Sequence, residues 1–194
     1  DYMMLPDSIF QSEGKALLIQ EFGKKYGNYF AILSAIANGD NTIPRLTQAT
    51  GERGVTGHLK RLEEDYELIT KQRPIFAKEG TQTVRYEITD LFLRFWFRYF
   101  TKYSDLIEMG NLPLLGSFIK SDYPTYSGLT LEIYFRQQLR ESLQFRNVGA
   151  WWQAKKEKDP CEIDIVAIYA DDSRALVISE DRKSGSAGMP RPIS

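Results

Sequence analysis

Ten consecutive residues in the middle of the chain set the strongest constraint on its fold. Residues 91–100 read Leu-Phe-Leu-Arg-Phe-Trp-Phe-Arg-Tyr-Phe, and Asp90 before them is a residue type that caps helices. A helix of this sequence is apolar on nearly every side, so other elements must bury it. Aromatic residues form 13% of the chain, and they are concentrated here. We therefore predict that residues 91–100 form a core helix.

Two arginines interrupt this block. Arg94 and Arg98 lie one turn apart on the same face of the predicted helix. They could clamp a phosphate, or they could pair with acidic residues such as Glu132 or Glu141. The aromatic side chains could likewise stack on bases, but a ten-residue helical block of them is more often a core. Pairing and burial are the favoured interpretation.

Composition excludes several classes of protein. The 194 residues suffice for one large domain or two small ones without disulfides. One cysteine, Cys161, and one histidine cannot form a disulfide framework or a Cys/His zinc site. A net charge of −1 argues against a histone-like protein. No apolar run reaches the ~20 residues of a membrane span, so we expect a cytoplasmic protein without a membrane partner.

The first third of the chain alternates helical and strand patterns. Apolar spacing predicts four helices followed by a two-stranded ribbon. The helices are expected from Ser12 to about Lys25, over Tyr29–Ala37 with a stop at Gly39, from Thr42 to Gly51, and from about Val55 to Tyr66. The strands are expected over 68–76 and 84–88. This order is typical of a winged helix-turn-helix, in which the helix from Val55 can enter a DNA groove. We therefore predict an α+β protein whose first domain, residues 1–88, is of this type.

Basic side chains on the last helix and on the ribbon are candidates for phosphate contact. The predicted nucleic-acid-binding residues are Arg53, His58, Lys60, Arg61, Lys71 and Arg73. Against DNA binding, residues 1–89 carry 11 basic and 12 acidic side chains, and Glu63-Glu64-Asp65 shares the helix with the basic cluster. A helix with both signs of charge is often only a solvated face, and His58 an ordinary surface histidine. A protein-docking role stays open.

Three segments carry a resemblance to a known family. They are Arg73-Pro74-Ile75-Phe76, the run from Tyr86 to Arg98 containing Phe-Leu-Arg-Phe-Trp, and Glu162-Ile163-Asp164-Ile165-Val166-Ala167. The chain from about Ser12 to Lys183 resembles the C-terminal half of a family of archaeal and bacterial AAA+ ATPases. In that family a P-loop ATPase precedes a winged helix and a domain similar to PD-(D/E)xK nucleases.

The resemblance implies three parts in this chain and the absence of the ATPase domain. The three parts are a winged helix over 1–88, an aromatic-rich helical connector over 89–126, and a nuclease-like domain over 127–194. The P-loop itself is absent, because Gly14-Lys15 is followed by Ala16 and Ile9 stands where the first glycine belongs. We expect no ATP site in this chain.

The last third follows the opening order of a restriction-endonuclease-like fold. A loop over 124–128, a helix from Thr130, and strands over 148–152, 161–169 and 174–183 form a helix plus an antiparallel meander. Only Ser184–Ser194 remain after the third strand, whereas the fold normally continues with a helix and a strand. We therefore expect a truncated nuclease-like domain.

The resemblance also implies a divalent-metal site. Mg²⁺ or Mn²⁺ would be held by Glu132, Asp164 and Glu180, hard oxygen ligands suited to phosphodiester hydrolysis. Asp164 lies on a strand that is apolar on both sides, so its carboxylate needs a metal or a partner. Without a metal, Asp164 and Glu180 would pair with arginines such as Arg136, Arg140 or Arg182.

The acid-x-lysine motif of such sites is ambiguous here. Either Asp181-x-Lys183 or Glu180-x-Arg182 fits it. A two-residue turn centred on Asp171-Asp172 would place Asp164 opposite Ser179 and on the face of Asp181 and Lys183. An odd-numbered loop would place Asp164 opposite Glu180, which is the slightly favoured alternative. Because arginine stays protonated, Arg182 is a poor replacement for lysine, so the Glu180-x-Arg182 alternative implies a degenerate site.

Two functions from different classes follow. The leading one is the DNA-facing region of an ATPase, with a degenerate metal-dependent endonuclease site. The competing one is a non-catalytic module that docks the missing ATPase domain or a partner protein. Transcriptional control by a homo-oligomer is a third, which requires a dimer and a palindromic site.

Overall fold

The computed structural model describes residues 8–52, 54–78, 80, 83–153, 161–171 and 174–179. The chain is mixed α and β, as predicted, and divides into two compact units. Unit 1 comprises residues 1–71 and 85–126, and unit 2 comprises residues 72–84 and 127–194. The backbone therefore passes between the units three times.

Unit 1 begins with four helices and a short ribbon. The elements are α1 (Ile9–Phe22), a 3₁₀ turn (Gly23–Lys25), α2 (Tyr26–Ala37), α3 (Ile43–Thr50), α4 (Val55–Glu64), β1 (Ile69–Gln72) and β2 (Arg85–Ile88). The first helix begins at Ile9, earlier than the predicted Ser12. Gly51 ends α3 in the left-handed region at φ 68°, which glycine adopts without strain. The predicted order of elements is confirmed.

Helices α2, α3 and α4 share one apolar core. Its fully buried side chains are Tyr29, Ile32, Leu33, Leu46, Leu59 and Leu62. The ribbon is tied to the helices through the backbone, because the amide of Tyr86 donates to Asn41 O at 2.8 Å in the loop between α2 and α3. The amide of Thr89 donates to Leu68 O at 3.0 Å. These backbone hydrogen bonds attach the ribbon to the helices of unit 1.

The second half of the aromatic block is buried as predicted, at Trp96, Phe97, Tyr99 and Phe100, whereas none of the residues of its first half is fully buried. The block is also not a uniform α-helix. Asp90 caps it, since its Oδ1 accepts from the amide of Leu93 at 2.7 Å. Helix α5 (Leu91–Phe95) then widens into a π-helical segment, Trp96–Thr101. The rings of Trp96 and Phe97 pack edge-on against Phe30 of α2, at centroid distances of 5.9 and 5.4 Å.

Arg98 is paired, but not with the predicted acids. Its Nε and Nη2 donate to the two carboxylate oxygens of Asp122 at 2.6 and 2.9 Å, and its Nη1 donates to Ala37 O at 2.8 Å. Tyr99 also donates to Asp122, at 2.7 Å. Glu141, a predicted partner, instead accepts from Gln137 and Gln138. For Arg98 the favoured pairing interpretation is correct, but its partner is Asp122, an acid that the sequence pattern did not single out.

The predicted loop over 124–128 is wrong. After α6 (Ser104–Glu108), helix α7 runs without interruption from Leu112 to Glu141, with Pro124 inside it. Proline removes one helical hydrogen bond but still fits helical φ. The ring of Tyr126, two residues later, is buried against Phe95 and Tyr99 at 5.8 and 5.7 Å. Packing of this kind offsets the cost of the proline.

Unit 2 holds a three-stranded antiparallel sheet. Strands β3 (Phe145–Trp152), β4 (Glu162–Tyr169) and β5 (Ala175–Ile178) are ordered β3-β4-β5, with β4 in the centre. The predicted strand over 68–76 is too long, because β1 ends at Gln72. Beyond it, the amide of Ile75 donates to Ala150 O on β3 at 2.7 Å. Ile75 is buried with Val166 and Ile168, so this segment belongs to the sheet of unit 2.

Candidate functional site

A β-bulge lies at Asp164. Gly149 pairs with Val166 and Trp151 pairs with Ile163, so Ala150 alone faces both Asp164 and Ile165. The extra residue breaks the alternation predicted along β4. Ile163 packs against the cluster of Val166 and Ile168, three and five residues away, whereas strict alternation would place it on the opposite face. Bulges often re-aim a side chain near a functional site, and the sequence pattern alone did not reveal this one.

Asp164 is deeply buried together with one other charged residue. Among the described residues, Asp164 and Arg136 are the buried charged ones, each about 5% exposed. The guanidinium of Arg140 donates to Val148 O through Nε and Nη2, at 3.3 and 3.1 Å. This contact places the last turn of α7 beside β3.

The geometry of α7 and β3 sets the position of Arg136. Only three residues, 142–144, join the two elements, so we expect them to run in opposite directions. One helical turn back from Arg140 is about 6 Å, and two residues along β3 from Val148 are about 6.6 Å. If α7 runs antiparallel to β3, Arg136 comes near the level of Ala150, the residue that faces the bulge. We expect its guanidinium to lie on the Asp164 carboxylate.

The predicted metal ligands are only partly within the described residues. Glu132 is half-buried on α7, one turn before Arg136, and Asp164 lies in the bulge. Glu180, Asp181, Arg182 and Lys183 lie outside the described residues. Across the described part of the chain, no group of three His, Cys, Asp or Glu residues is arranged to hold a metal ion. Glu132 and Asp164 have the right oxygen chemistry, but they do not form a metal site by themselves.

The register of β4 and β5 bears on the ambiguous motif. Ile165 pairs with Ile178, Val166 with Val177, and Ile168 with Ala175. This is the register of the two-residue turn, and continued by one pair it sets Asp164 opposite Ser179. Alternation along β5 would then favour Asp181-x-Lys183 over the preferred Glu180-x-Arg182. The motif itself lies outside the described residues, so both pairs stay predictions.

The predicted DNA-contacting cations of α4 also contact neighbouring protein groups. Lys60 and Glu64 form an exposed ion pair at 3.7 Å. His58 Nδ1 lies 3.1 Å from Gly54 O, and its ring meets Tyr29 edge-on at 5.1 Å. A hydrogen bond with Tyr29 raises the pKa of Arg61, which stays exposed. The His58 ring thus packs against Tyr29 of α2, while Lys60 and Arg61 remain accessible to solvent.

The rest of the predicted nucleic-acid set is spread along the chain. Lys71 is exposed on β1 in unit 1, whereas Arg73 is exposed at the start of the unit 2 segment. Arg53 lies outside the described residues. The six residues therefore do not belong to one unit.

Sequence reasoning missed one conspicuous side chain. Phe76 is 71% exposed, and its φ of 68° lies in the left-handed region that bulky residues rarely adopt. The only signal for it was Pro74, which marks a turn two residues earlier. Hydrophobicity alone suggested a buried strand residue.

No helix among the described residues is both long enough and apolar enough to cross a lipid bilayer.

Comparisons with known proteins give a family of undefined role. Residues 96–180 match a family described as archaeal and bacterial proteins of unknown function. Over 181 residues the chain is 32% identical to the uncharacterized protein MJECL04 of Methanocaldococcus jannaschii, covering 89% of this chain and 39% of the relative. The chain thus spans about two fifths of that curated relative. No solved structure matches this chain. The chain is therefore similar to an archaeal and bacterial family whose matched region begins at the buried π-helical segment and ends just after β5.

Proposed function

We propose that this chain is the DNA-facing region of a longer AAA+ ATPase, and that unit 1 binds duplex DNA through α4 as a winged helix. The observation that carries the proposal is the packing of α2, α3 and α4 with the β1-β2 ribbon, which leaves one face of α4 in solvent. The ATPase context rests on the resemblance of the sequence, and the greater length of the archaeal relative is consistent with it.

The solvent face of α4 suits close approach to a duplex. Val55, Leu59 and Leu62 are buried, which fixes the opposite side of the helix outward. Gly54 and Gly57, at the start of the helix, have no side chains, and the space around them is open, because a Cβ at either position would meet no atom within 4 Å. The major groove is wide enough to admit a helix. Lys60 and Arg61 follow on the exposed side, where they can meet phosphates.

Fluorescence anisotropy with a labelled duplex in low salt tests this proposal. Lys60→Gln and Arg61→Gln should each weaken binding several-fold, because each removes a phosphate contact. Glu64→Gln should strengthen binding, since it removes the carboxylate that pairs with Lys60. Lys120→Gln, on the exposed surface of α7, is the matched control and should bind as the wild type does. Undetectable duplex binding in low salt would reject the proposal.

A non-catalytic docking role is the competing proposal. The contacts that His58, Lys60 and Arg61 already make within the protein favour it, as does the net charge of −1. In that case the α4 variants would change no DNA affinity. Their effect would instead appear as weaker association with the ATPase domain of the full-length protein, measured by pull-down.

A metal-dependent nuclease site in unit 2 is a second candidate. The bulge at Asp164 and the β4-β5 register, which would set Asp181 on the face of Asp164 if it continued, are the specific observations in its favour. Plasmid nicking should then require Mg²⁺ or Mn²⁺ and be lost in Asp164→Asn. Asp181→Asn should abolish nicking if the register continues, whereas Glu180→Gln should do so if it does not. Equal activity in the wild type and Asp164→Asn would reject the candidate.

A further inference from the structure

An exposed aromatic side chain projects from a rigid turn in unit 2. The amide of Ala77 donates to Pro74 O at 3.0 Å, which closes a four-residue turn over 74–77. Phe76 is its third residue, the position that usually takes glycine or asparagine when φ is positive. A bulky residue held at φ 68° is strained, and such outliers cluster at functional sites.

The turn is anchored to the three-stranded sheet of unit 2. Pro74 and Ile75 are buried, and the amide of Ile75 donates to Ala150 O on β3. The Ile75 side chain packs on Val166 and Ile168, and its Cβ would meet a Cβ at Gly149 at 3.6 Å. Phe76 therefore stands on a fixed support with 71% of its surface exposed. The backbone that carries the ring is therefore ordered before a ligand covers it.

Cations flank Phe76 in the sequence. Lys71, Arg73 and Lys78 lie within five residues of it, against one acidic side chain, Glu79. Arg73 and Lys78 are exposed on either side of the turn. An exposed ring flanked by cations is the combination with which proteins bind single strands, because bases stack on the ring while cations meet the phosphates. A paired base inside a duplex does not offer its face in this way.

We propose that Phe76 is a stacking platform for an unpaired base of single-stranded DNA, with Arg73 and Lys78 contacting the adjoining phosphates. The inference deepens the proposed nucleic-acid function by naming a second DNA form and a second place of contact. It rests on that function, but it uses unit 2 residues and not α4. Its failure and the failure of duplex binding are therefore distinguishable.

The test measures the affinity of the full chain for a labelled oligothymidylate and for a duplex of the same length, by anisotropy in low salt. Phe76→Ala should weaken single-strand binding by about 5- to 100-fold, the range seen when a stacking ring is removed. It should leave duplex binding unchanged. Phe76→Trp should retain single-strand binding, because it keeps a ring for stacking.

Salt dependence and a control variant make the result specific. Phe76→Ala should not change the slope of log affinity against log salt, whereas Arg73→Gln should reduce it by about one. Met109→Ala removes an equally exposed apolar side chain in unit 1 and should bind as the wild type does. Because Phe76 is exposed, circular dichroism should show every variant folded.

Three outcomes would overturn the proposal. They are a wild-type chain that does not bind the oligothymidylate, a Phe76→Ala variant with unchanged affinity, and a Met109→Ala variant with an equal loss. Duplex binding that survives any of these leaves the α4 proposal standing. Loss of single-strand binding in Phe76→Ala, in a chain that never binds duplex, supports the stacking site alone.

Discussion

Asp122 joins three parts of unit 1 through its carboxylate. It accepts from Arg98 and Tyr99 in the π-helical segment, while Arg98 also reaches Ala37 O at the end of α2. The hydrogen bonds from Arg98 hold the pKa of Asp122 below its ordinary value of 3.8. Burial and the hydrogen bond to Asp122 raise the pKa of Tyr99. The ionised form of Asp122 and the neutral form of Tyr99 are thus favoured by folding.

The stability of unit 1 should decrease as the pH is lowered, because Asp122 then becomes protonated. A depressed pKa in the folded state gives a contribution that is fully present above pH 3.8 and is lost as pH falls through the folded-state pKa. Asp122→Asn should lower the free energy of unfolding at pH 7 by about 1–2 kcal/mol. The value is below that of a fully buried pair because the Asp122 side chain is 36% exposed. Urea unfolding at pH 3 and pH 7 measures it.

The matched control is Asp105→Asn, an exposed acid in the first turn of α6. It should cost much less than Asp122→Asn at pH 7. If Asp122→Asn leaves the dependence of stability on pH between 3 and 5 unchanged, the carboxylate does not act as described.

Arg136 and Asp164 should be energetically coupled. Both are buried in unit 2, and we expect Arg136 to lie near the bulge because Arg140, one turn later on α7, contacts Val148 O on β3. Removing one member of a buried ion pair leaves the other charge buried without a partner, at a cost of about 3–5 kcal/mol. Arg136→Met and Asp164→Leu should each destabilise the protein to this extent. The double variant should recover much of the loss.

A double-mutant cycle of unfolding free energies measures that coupling. Additive losses in the two single variants would show that Asp164 has another partner. A carboxylate that needs metal would behave differently again, since Mg²⁺ would then raise the melting temperature of the wild type but not of Asp164→Leu. The cycle thus separates a structural Asp164 from a metal ligand.

At the level of elements, the turn over 74–77 depends on Ile75. Ile75→Ala should destabilise unit 2 by about 2–4 kcal/mol, because a buried aliphatic side chain is lost from a packed cluster. It should also remove the hydrogen-exchange protection of the Ile75 amide, which donates to Ala150 O. Phe76→Ala, one residue on, should cost far less, because its side chain is exposed. Equal losses in the two variants would contradict the anchoring of the turn.

Element order was predictable because local signals specified it. The capping residue Asp90, the left-handed Gly51 and the apolar spacing of α4 each act within a few residues. Features set by distant packing were not predictable. Pro124 marked a loop in the sequence, yet α7 continues through it, and neighbouring rings bury Tyr126 two residues later.

The candidate sites show the same division between local and distant determinants. The residue types of Asp164 and Glu132 suggested metal chemistry, but the bulge depends on the pairing of β4 with β3. Phe76 looked like part of a strand, and the contact of Ile75 with β3, 75 residues away, makes it the tip of a turn. Which side chain a strand presents is decided by pairing partners that the local sequence does not identify.

Charge limits what the whole molecule can do with DNA. The chain carries 25 basic and 26 acidic side chains, so binding must rest on a few local contacts and not on bulk charge. Four of the predicted contact residues belong to unit 1 and are permanently charged, namely Arg53, Lys60, Arg61 and Lys71. Each phosphate contact adds about 0.9 to the slope of log affinity against log salt. For duplex DNA bound by unit 1 the slope should therefore not exceed about 3.6 in magnitude.

This limit makes the salt titration a test of the whole proposal. Between 50 and 200 mM salt, affinity for the duplex should fall by at most about 150-fold, and Lys60→Gln should lower the slope by about one. A steeper slope would mean that many more cations meet the DNA than the predicted set contains, so the contact surface would lie elsewhere. A slope near zero would mean that binding does not involve phosphates, and α4 would then be a protein-docking helix.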